Sequence, residues 1–197
     1  MSASRLSHAI KAVKTPLPAN KTAFLHKTIR VDQAGELAAD LIYAGQHFVF
    51  QFTNPALAPL IKHMWKQEIH HHNTFDAIQV QARVRPSLLT PVWKIAAVAL
   101  GVSTALLGKE AAMACTEAVE TVIGGHYNDQ LRGLTKGFPV TQEFTDLQSL
   151  LAEFRDDELE HLNTAIENDS KKAVPYVLLT ETIKGGCRLA IRLAKDI

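Results

Sequence analysis

Apolar residues recur at intervals of three and four along most of the chain, which is the spacing of amphipathic helices. The pattern predicts a first helix from about Thr22 to Phe52, and a second that starts at Asn54-Pro55 and ends near Arg83. Long alternating runs of β-branched residues, which strands would need, are missing. The pattern therefore favours an all-α protein.

The second half of the chain predicts four further helices, several of them opened by a capping residue or a proline. Their expected limits are a start at Thr90-Pro91, a helix from about Glu110 to Leu134 with a loop from Arg132-Gly133 to Pro139, a start after Thr141, and a last start at Pro175. Two of these helices, the first and the last, differ from the others in their surface character.

The helix that begins at Thr90-Pro91 carries no charged residue from Ile95 to Leu107. At a rise of 1.5 Å per residue this run covers about 20 Å, which is too short for a hydrocarbon core of about 30 Å. Two interpretations are open: a helix buried in the protein, or a helix that lies half in a membrane interface. The residues alone favour burial.

The last helix carries a basic stripe, because Lys184, Arg188 and Arg192 follow one another at four-residue spacing. Such a stripe can bind an anionic membrane surface, or it can simply face water on a helix that covers the bundle. Taken by itself, the stripe favours the second interpretation.

The strongest chemical signal is a repeated Glu-x-x-His. Glu158 and His161 are three residues apart, so on a helix both side chains leave the same face and can share a metal ion. Glu68 and His71 have the same spacing on the second predicted helix. A pair of such motifs, each preceded by a helix with its own candidate Glu, is the ligand pattern of ferritin-like di-iron carboxylate bundles.

The chain repeats this pattern as an internal two-fold. Glu36 is followed two turns later by Tyr43, and Glu120 is followed two turns later by Tyr127. Each of these helices precedes one Glu-x-x-His motif, at an interval that suits a helical hairpin. The two hairpins are expected to form a four-helix bundle around six ligands, with two additional apolar or amphipathic helices outside it.

The residue types suit a pair of iron ions. Four glutamates balance the charge of two ferrous ions, and oxygen and imidazole ligands without thiolate fit iron or manganese better than copper(I) or structural zinc. Without metal, such buried carboxylates are expected to have raised pKa values. Each ligand histidine needs a partner on its other nitrogen, for which Asp157 and Asp32 are candidates.

Several neighbouring residues have more than one interpretation. Glu117 competes with Glu120 for the ligand position on its helix, but only Glu120 has the matching Tyr127 two turns later. His126 lies either beside the metal ligands or among ordinary hydrogen-bonded histidines. Tyr43 and Tyr127 are more often core aromatics than redox residues.

Composition and charge exclude several classes of protein. Apolar residues make up 47% of the 197 residues, which suits one folded domain and not a disordered chain. The net charge of +1 gives no indication of nucleic-acid binding. Cys115 and Cys187 form no C-x-x-C pair, which argues against a zinc ribbon, a rubredoxin-type centre or a disulfide framework and fits a reducing compartment.

The N-terminus is basic and contains no acidic residue from Met1 to Val31. Starts that are poor in acidic residues, rich in Arg, Lys and Ser, and amphipathic are typical of mitochondrial presequences, although an uncleaved basic tail has the same composition. Residues 1–22 are therefore predicted as a basic segment and possible presequence, and residues 23–197 as the di-iron domain.

Several stretches of the chain resemble demethoxyubiquinone hydroxylase, the di-iron monooxygenase of coenzyme Q biosynthesis. They are Arg30-Val31-Asp32-Gln33-Ala34-Gly35-Glu36, Ile42-Tyr43-Ala44-Gly45-Gln46, Arg83-Val84-Arg85-Pro86, Ala112-Met113-Ala114-Cys115-Thr116-Glu117-Ala118-Val119-Glu120, His126-Tyr127-Asn128 and Arg155-Asp156-Asp157-Glu158-Leu159-Glu160-His161. The likeness covers the chain from about Ile29 to its C-terminus.

The resemblance implies an oxidoreductase that hydroxylates the ring of a polyprenyl demethoxybenzoquinone with dioxygen, two iron ions and electrons ultimately from NADH. The iron ligands that it implies are Glu36, Glu68, His71, Glu120, Glu158 and His161. Residues expected beside these ligands or on the substrate side are Tyr43, Tyr127, His126, Asp157 and Asp32.

The resemblance also implies a cellular location and partner proteins. Family members are peripheral proteins on the matrix side of the inner mitochondrial membrane, or on the bacterial cytoplasmic membrane. They act with a lipid-binding partner protein and other coenzyme Q biosynthesis proteins. Since a polyprenyl substrate must leave a bilayer, the Ile95–Leu107 run and the basic stripe now suit a membrane-facing surface better.

Two other classes remain as alternatives. A ferritin-type iron-oxidising or iron-binding protein would need a polar outer surface for cage assembly, which the uncharged helix argues against. A non-catalytic scaffold of a quinone-biosynthesis complex would need no complete ligand set, and this chain has one.

Overall fold

Four long helices pack as two hairpins, and three shorter helices cover the outside of this bundle. The computed structural model describes residues 3–197. The helices are α1 (Ala3–Lys14), α2 (Ala19–Thr53), α3 (Ala58–Gln81), α4 (Thr90–Leu106), α5 (Lys109–Gly137), α6 (Gln142–Glu167) and α7 (Tyr176–Asp196), with a short 3-10 helix at Ser170–Lys172. The predicted all-α, ferritin-like bundle is confirmed, with α4 and α7 as the two additional helices and α1 as a third.

The bundle core consists of two large apolar clusters, one toward each end. The first contains Phe75, Tyr127 and Phe154, and the second contains Tyr43 and Met64. In sequence, the acidic and histidine residues of the candidate site lie between these clusters on α2, α3, α5 and α6. The packing of the two ends therefore fixes the middle, where the site lies.

Two predicted helix limits are wrong. The loop expected from Arg132-Gly133 does not form there, because α5 continues to Gly137 and buries Leu134 completely. α3 begins at Ala58 and not at Pro55, since the turn before it is closed by its own hydrogen bonds. In that turn the backbone N–H of Leu57 donates to the Asn54 carbonyl oxygen at 3.0 Å.

The helix α4, which carries the uncharged run, is only half buried, so the interpretation as a buried helix is wrong. Its inner face packs on α2 through Ala97, Gly101 and Ala105. Its outer face leaves Ile95 at 74% and Leu106 at 68% exposure. The small residues on the inner face let α4 approach α2 closely, so this face is buried. The large apolar residues lie on the opposite face, which remains exposed.

The approach of α4 to α2 depends on Gly101. A Cβ atom at this position would lie 2.2 Å from the Ile42 carbonyl oxygen, a backbone atom that cannot move alone. We expect Gly101→Ala to lower the free energy of unfolding by roughly 1–3 kcal/mol, since the two helices must separate. Gly125→Ala is the matched control, because a Cβ there meets nothing within 4 Å, and denaturant unfolding should show it unchanged or slightly stabilised.

The outer surface of α7 carries the predicted basic stripe. Arg188 and Arg192 are exposed, whereas Lys184 is half-buried and lies 3.2 Å from Glu181. Within the described chain, no helix combines the length and the apolar character that crossing a membrane requires.

The N-terminal helix α1 packs on α6 and contributes to the first core cluster. Ala9, Ile10 and Val13 are buried there, and His8 Nδ1 lies 2.6 Å from Asp146 Oδ2. The predicted segment 1–22 thus contains a helix with a buried face. Its role as a presequence stays a prediction, and Met1 and Ser2 lie outside the described residues.

Candidate metal centre

Six buried side chains converge at the middle of the bundle, each at most 1% exposed. They come from all four long helices, one Glu each from α2 and α5 and a Glu-x-x-His pair each from α3 and α6. They are Glu36, Glu68, His71, Glu120, Glu158 and His161. The structure therefore brings together every residue that the sequence predicted as a metal ligand, and their role as ligands stays a prediction.

The six residues form two overlapping groups whose candidate ligand atoms lie within 4.8 Å of one another. The groups are Glu36, Glu68, His71 and Glu158, and Glu68, Glu120, Glu158 and His161. Glu68 and Glu158 belong to both. Each group thus offers one histidine, one carboxylate of its own and two shared carboxylates, which is the arrangement that a pair of bridged metal ions needs.

The atoms that face the middle of this cluster support metal binding. Within residues 3–197, no hydrogen-bond partner is found for these buried atoms: Glu36 Oε2, Glu120 Oε2, both carboxylate oxygens of Glu68 and of Glu158, and Nδ1 of His71 and His161. Buried polar atoms without partners are costly in free energy. The same atoms are the ones that would coordinate metal, so the residues present fit a dinuclear site.

Two tyrosines bind the outer glutamates, which are Glu36 and Glu120, the two that belong to only one ligand group each. The Tyr43 hydroxyl donates to Glu120 Oε1 at 2.8 Å, and the Tyr127 hydroxyl donates to Glu36 Oε1. In the sequence each tyrosine follows the glutamate of its own helix, but in the structure it binds the glutamate of the other. This crossing is what antiparallel helices produce, and it leaves the second oxygen of each glutamate directed at the cluster.

Each ligand histidine is oriented by a residue from the opposite hairpin. His71 Nε2 lies 3.0 Å from Asp157 Oδ2, and His161 Nε2 lies 3.1 Å from Gln67 Oε1. Both partners directly precede the Glu of the other Glu-x-x-His motif. Since Nε2 is occupied, Nδ1 is the nitrogen available for a metal. The sequence proposed Asp157 for this task and missed Gln67, although both stand at the same place in the repeat.

Without metal, the cluster holds protons that a metal must displace. Burial and the Glu158 carboxylate raise the pKa of Glu68 and of Glu120 well above the usual value. Burial works against a charge on His71 and on His161, but neighbouring carboxylates, Glu158 among them, raise the pKa of both rings. Burial would raise the pKa of Glu158 too, but the same rings lower it to about 2. The expected raised pKa therefore holds for Glu68 and Glu120 and is wrong for Glu158.

These pKa directions predict that metal binding releases protons and weakens as the pH falls. Glu68, Glu120 and the two histidines have raised pKa values, so they carry protons at a higher pH than free side chains do. We expect calorimetric titration with ferrous iron, in buffers of different ionisation enthalpy, to show net proton release near neutral pH. Binding without proton release would contradict these directions.

The remaining candidates lie outside the ligand cluster. Asp32 does not contact either ligand histidine, because its carboxylate accepts a hydrogen bond from Gln130, which also binds His126. Glu117 is not part of the cluster, because its oxygens accept hydrogen bonds from Ser170 Oγ at 2.5 Å and from the Tyr176 hydroxyl at 2.6 Å. Glu117 thus ties the chain before α7 to α5, so Glu120 is the ligand candidate on α5.

An apolar cavity of about 400 Å³ lies between α2, α4, α5 and α7, and its walls include Gly35 and Val119, the chain neighbours of Glu36 and Glu120. Its walls also include Ala38, Ile42, Leu100 and Cys187. The sequence did not predict this cavity, because its walls come from four helices and only the packing of α4 and α7 on the bundle brings them together. Its lining suits an apolar ligand.

The fold and the site together define the class of the protein: a ferritin-like, all-α bundle with a buried Glu/His cluster compatible with metal binding. Comparison of the sequence with protein families narrows this class. The family described as ubiquinone biosynthesis protein COQ7 matches residues 23–194. The chain belongs to this family, which confirms the resemblance seen in its motifs.

Relatives from distant organisms cover most of the chain. The protein from Saccharomyces cerevisiae named "5-demethoxyubiquinone hydroxylase, mitochondrial" is 59% identical over 186 residues, which cover 90% of this chain and 80% of the relative. The human "NADPH-dependent 3-demethoxyubiquinone 3-hydroxylase, mitochondrial" is 45% identical over 175 residues, 89% of this chain and 79% of the relative. The "3-demethoxyubiquinol 3-hydroxylase" of Rhodospirillum rubrum is 40% identical over 182 residues, with 92% and 81% covered.

Proposed function

We propose that this protein is a di-iron monooxygenase of ubiquinone biosynthesis, which hydroxylates the ring of a polyprenyl demethoxybenzoquinol with dioxygen. The hydroxylase names of its relatives support this reaction. The proposed ligands of the two iron ions are the six residues of the cluster: Glu36, Glu68, His71, Glu120, Glu158 and His161.

The main support for this proposal is that Glu68 and Glu158 belong to both ligand groups. A single metal ion would need only one group, whereas two adjacent ions need carboxylates that reach both. Four carboxylates balance two ferrous ions, and a set of oxygen and imidazole ligands without thiolate suits iron. A purely structural bundle would gain nothing from burying four carboxylates whose inner oxygens lack hydrogen-bond partners.

Iron bound in this cluster supplies the redox chemistry that activates dioxygen. The protein itself positions the ligands and keeps water away. Tyr43 and Tyr127 each hold one oxygen of an outer glutamate, so that its second oxygen faces inward. Phe154 stacks on the His71 ring with centroids 4.0 Å apart, and both side chains are completely buried.

The substrate tail and the membrane account for the apolar features outside the cluster. The apolar cavity between α2, α4, α5 and α7 has the lining that a polyprenyl tail would need. The exposed apolar face of α4 and the basic stripe of α7 suit a surface that lies on an anionic bilayer. The protein would thus work as a peripheral membrane protein that takes its substrate from the lipid.

The proposal extends to location, partners and reductant. The word "mitochondrial" in the names of relatives supports a place at the matrix side of the inner mitochondrial membrane, and a bacterial-type place at the cytoplasmic membrane is the alternative. A lipid-binding protein of the same pathway would deliver the substrate. Electrons come ultimately from NADH in this proposal, whereas the name of the human relative specifies NADPH, so both nicotinamides belong in the assay. Residues 23–197 form the proposed catalytic domain.

The test measures iron content and dioxygen-dependent turnover of a short-tailed demethoxyquinol, with partner and reductant supplied. We expect about two irons per chain and a hydroxylated product in wild type, with the product lost in Glu120→Gln. Glu110→Gln makes the same change near the start of the same helix, outside the cluster, and should remain active. Bound iron without product would favour the scaffold alternative, and hundreds of irons per assembly would favour ferritin-type storage.

A further inference from the structure

Three polar side chains form a chain that starts near the surface of α5 and ends one helical turn before Glu36. The His126 side chain is 15% exposed. The Gln130 amide nitrogen lies 2.8 Å from His126 Nε2 and donates to Asp32 Oδ1 at 2.5 Å. His126 Nε2 itself lies 3.9 Å from Asp32 Oδ1. We call Asp32, Gln130 and His126 the Asp32 network.

Asp32 has fewer partners than a buried carboxylate usually has. It is 4% exposed, and its Oδ2 has no hydrogen-bond partner within residues 3–197. In the same range of residues, His126 is the only basic side chain within ion-pair distance. An acid in this position costs folding free energy, so stability does not explain it.

The internal two-fold provides a comparison within the same molecule. The other half of the bundle repeats the outer Glu, the Tyr two turns later and a Gln three residues after the Tyr. At the places of the two titratable groups, however, it has a hydroxyl and an aliphatic side chain. The equivalents of Asp32, Gln130 and His126 are Thr116, Gln46 and Ile42. The bundle therefore folds around such positions without an acid or an imidazole.

We propose that Asp32 donates protons to the reaction at the metal cluster and is then reprotonated from solvent through His126. Gln130 holds the side chains of Asp32 and His126 next to each other. This inference rests on the hydroxylase function proposed above. Asp32 lies four residues before Glu36, so its side chain is on the same face of α2 as a ligand of the cluster. His126 connects it to the protein surface.

The proposed hydroxylation requires a supply of protons. Hydroxylation of a ring C–H bond by dioxygen places one oxygen atom in the new C–OH group and releases the other as water. The reaction consumes two electrons, from the nicotinamide reductant, and two protons. Asp32 gives a proton from its carboxyl group and regains one from His126, whose imidazole takes up a proton at one nitrogen and releases one from the other.

The charged groups around Asp32 favour its protonated form. Burial raises the pKa of Asp32 and the Glu36 carboxylate adds to this, and together they outweigh the opposing effects of the Gln130 hydrogen bond and of Lys195 on α7. The Tyr127 hydroxyl also faces this region, and burial together with Glu36 and Asp32 raises its pKa. These effects together favour the form of Asp32 that carries a proton.

The groups around His126 favour its neutral form. Burial lowers the pKa of His126 to about 4, and Lys195 acts in the same direction, whereas Asp129 opposes it. The proton thus rests on Asp32 in preference to His126, and it passes through His126 only when Asp32 has given its own proton away. This order is the one that a donor with a solvent-side relay requires.

The first test does not depend on turnover. Carbon-13 NMR of metal-free protein with labelled aspartate carboxyl groups should show one carboxyl that remains protonated at neutral pH, and Asp32→Asn should remove that signal. If the signal of Asp32 titrates like that of an ordinary exposed aspartate, Asp32 carries no proton to donate and the proposal is overturned.

The second test uses the iron-loaded enzyme with its reductant and a short-tailed demethoxyquinol. We expect Asp32→Asn to lower kcat by about 100-fold, the range of lost proton transfer, with iron content unchanged. Asp32→Ala should regain turnover with formate, whose carboxylate takes up a proton and gives it as formic acid, and not with formamide, which only fills the space. Rescue by both compounds would assign Asp32 a packing role and overturn the proposal.

Two further variants act as controls. Thr116→Val changes the position equivalent to Asp32 in the other half and should leave kcat unchanged. His126→Ile installs the residue of the other half and should slow turnover most at high pH, where protons from solvent are scarce. An unchanged pH profile in His126→Ile would exclude His126 as the relay. Wild type that binds iron but makes no product would count against the proposed function, whereas an active wild type with an equally active Asp32→Asn would count only against the proton donor.

Discussion

Replacing Glu68 with glutamine is expected to remove stoichiometric metal binding while leaving the metal-free protein at least as stable as wild type. Glu68 belongs to both ligand groups, so its loss affects both metal ions. We expect metal affinity to fall by more than about 100-fold, since even residues that only support a ligand account for 10–100-fold. Anaerobic calorimetric titration with ferrous iron measures this loss.

The stability of the metal-free variant has a definite pH dependence. Because the pKa of Glu68 is raised in the folded protein, the folded state holds a proton that the unfolded state loses, so wild type loses stability as the pH rises above the ordinary value of 4.5. Glutamine mimics the protonated acid, so the variant should lose less stability than wild type as the pH rises. Glu160→Gln, an exposed change on α6, is the control. A metal-free Glu68→Gln that unfolds more easily than wild type at neutral pH would contradict this.

Asp157→Asn is expected to weaken one metal ion selectively. His71 has a carboxylate partner at Asp157, whereas His161 has the neutral amide of Gln67. A carboxylate partner makes the imidazole a stronger ligand, so wild type should bind its two metal ions with unequal affinity. In the variant the tighter of the two should weaken by about 10–100-fold, which makes the two binding steps alike.

The neighbouring residue provides the matched control for this prediction. Asp156 is exposed and pairs with Arg155 at 2.6 Å, so Asp156→Asn changes the same chemical group without contact to His71. Its two binding steps should remain as in wild type. Equal binding steps already in wild type would show that the difference between Asp157 and Gln67 has no effect on the metal ions.

The sequence predicted the parts of this structure that follow from local periodicity and from the repeat. The all-α bundle and the family are confirmed, since helical stripes and doubled Glu-x-x-His motifs carry their information along a single helix. The convergence of Glu36 and Glu120 with these motifs was predicted from the internal two-fold. The pairing of Asp157 with a histidine was proposed, but its choice of His71 depends on which helices face each other.

Features that depend on contacts between distant helices were not predicted. The crossing of Tyr43 to Glu120, and the role of Gln67, require the antiparallel arrangement of the hairpins to be known. The continuation of α5 past Leu134 depends on the core that receives this residue, and not on the local Arg-Gly sequence. The half-buried state of α4 depends on small residues such as Gly101, whose effect appears only when α2 is in place.

In the proposed function the buried cluster would hold two iron ions, and Glu68 and Glu158 would be the ligands that the two ions share. The most direct measurement is anaerobic titration of metal-free protein with ferrous iron, followed by Mössbauer spectroscopy of the oxidised sample. We expect saturation at about two irons per chain, with the magnetic coupling of a bridged pair. Saturation at a single iron, or two irons without coupling, would contradict it.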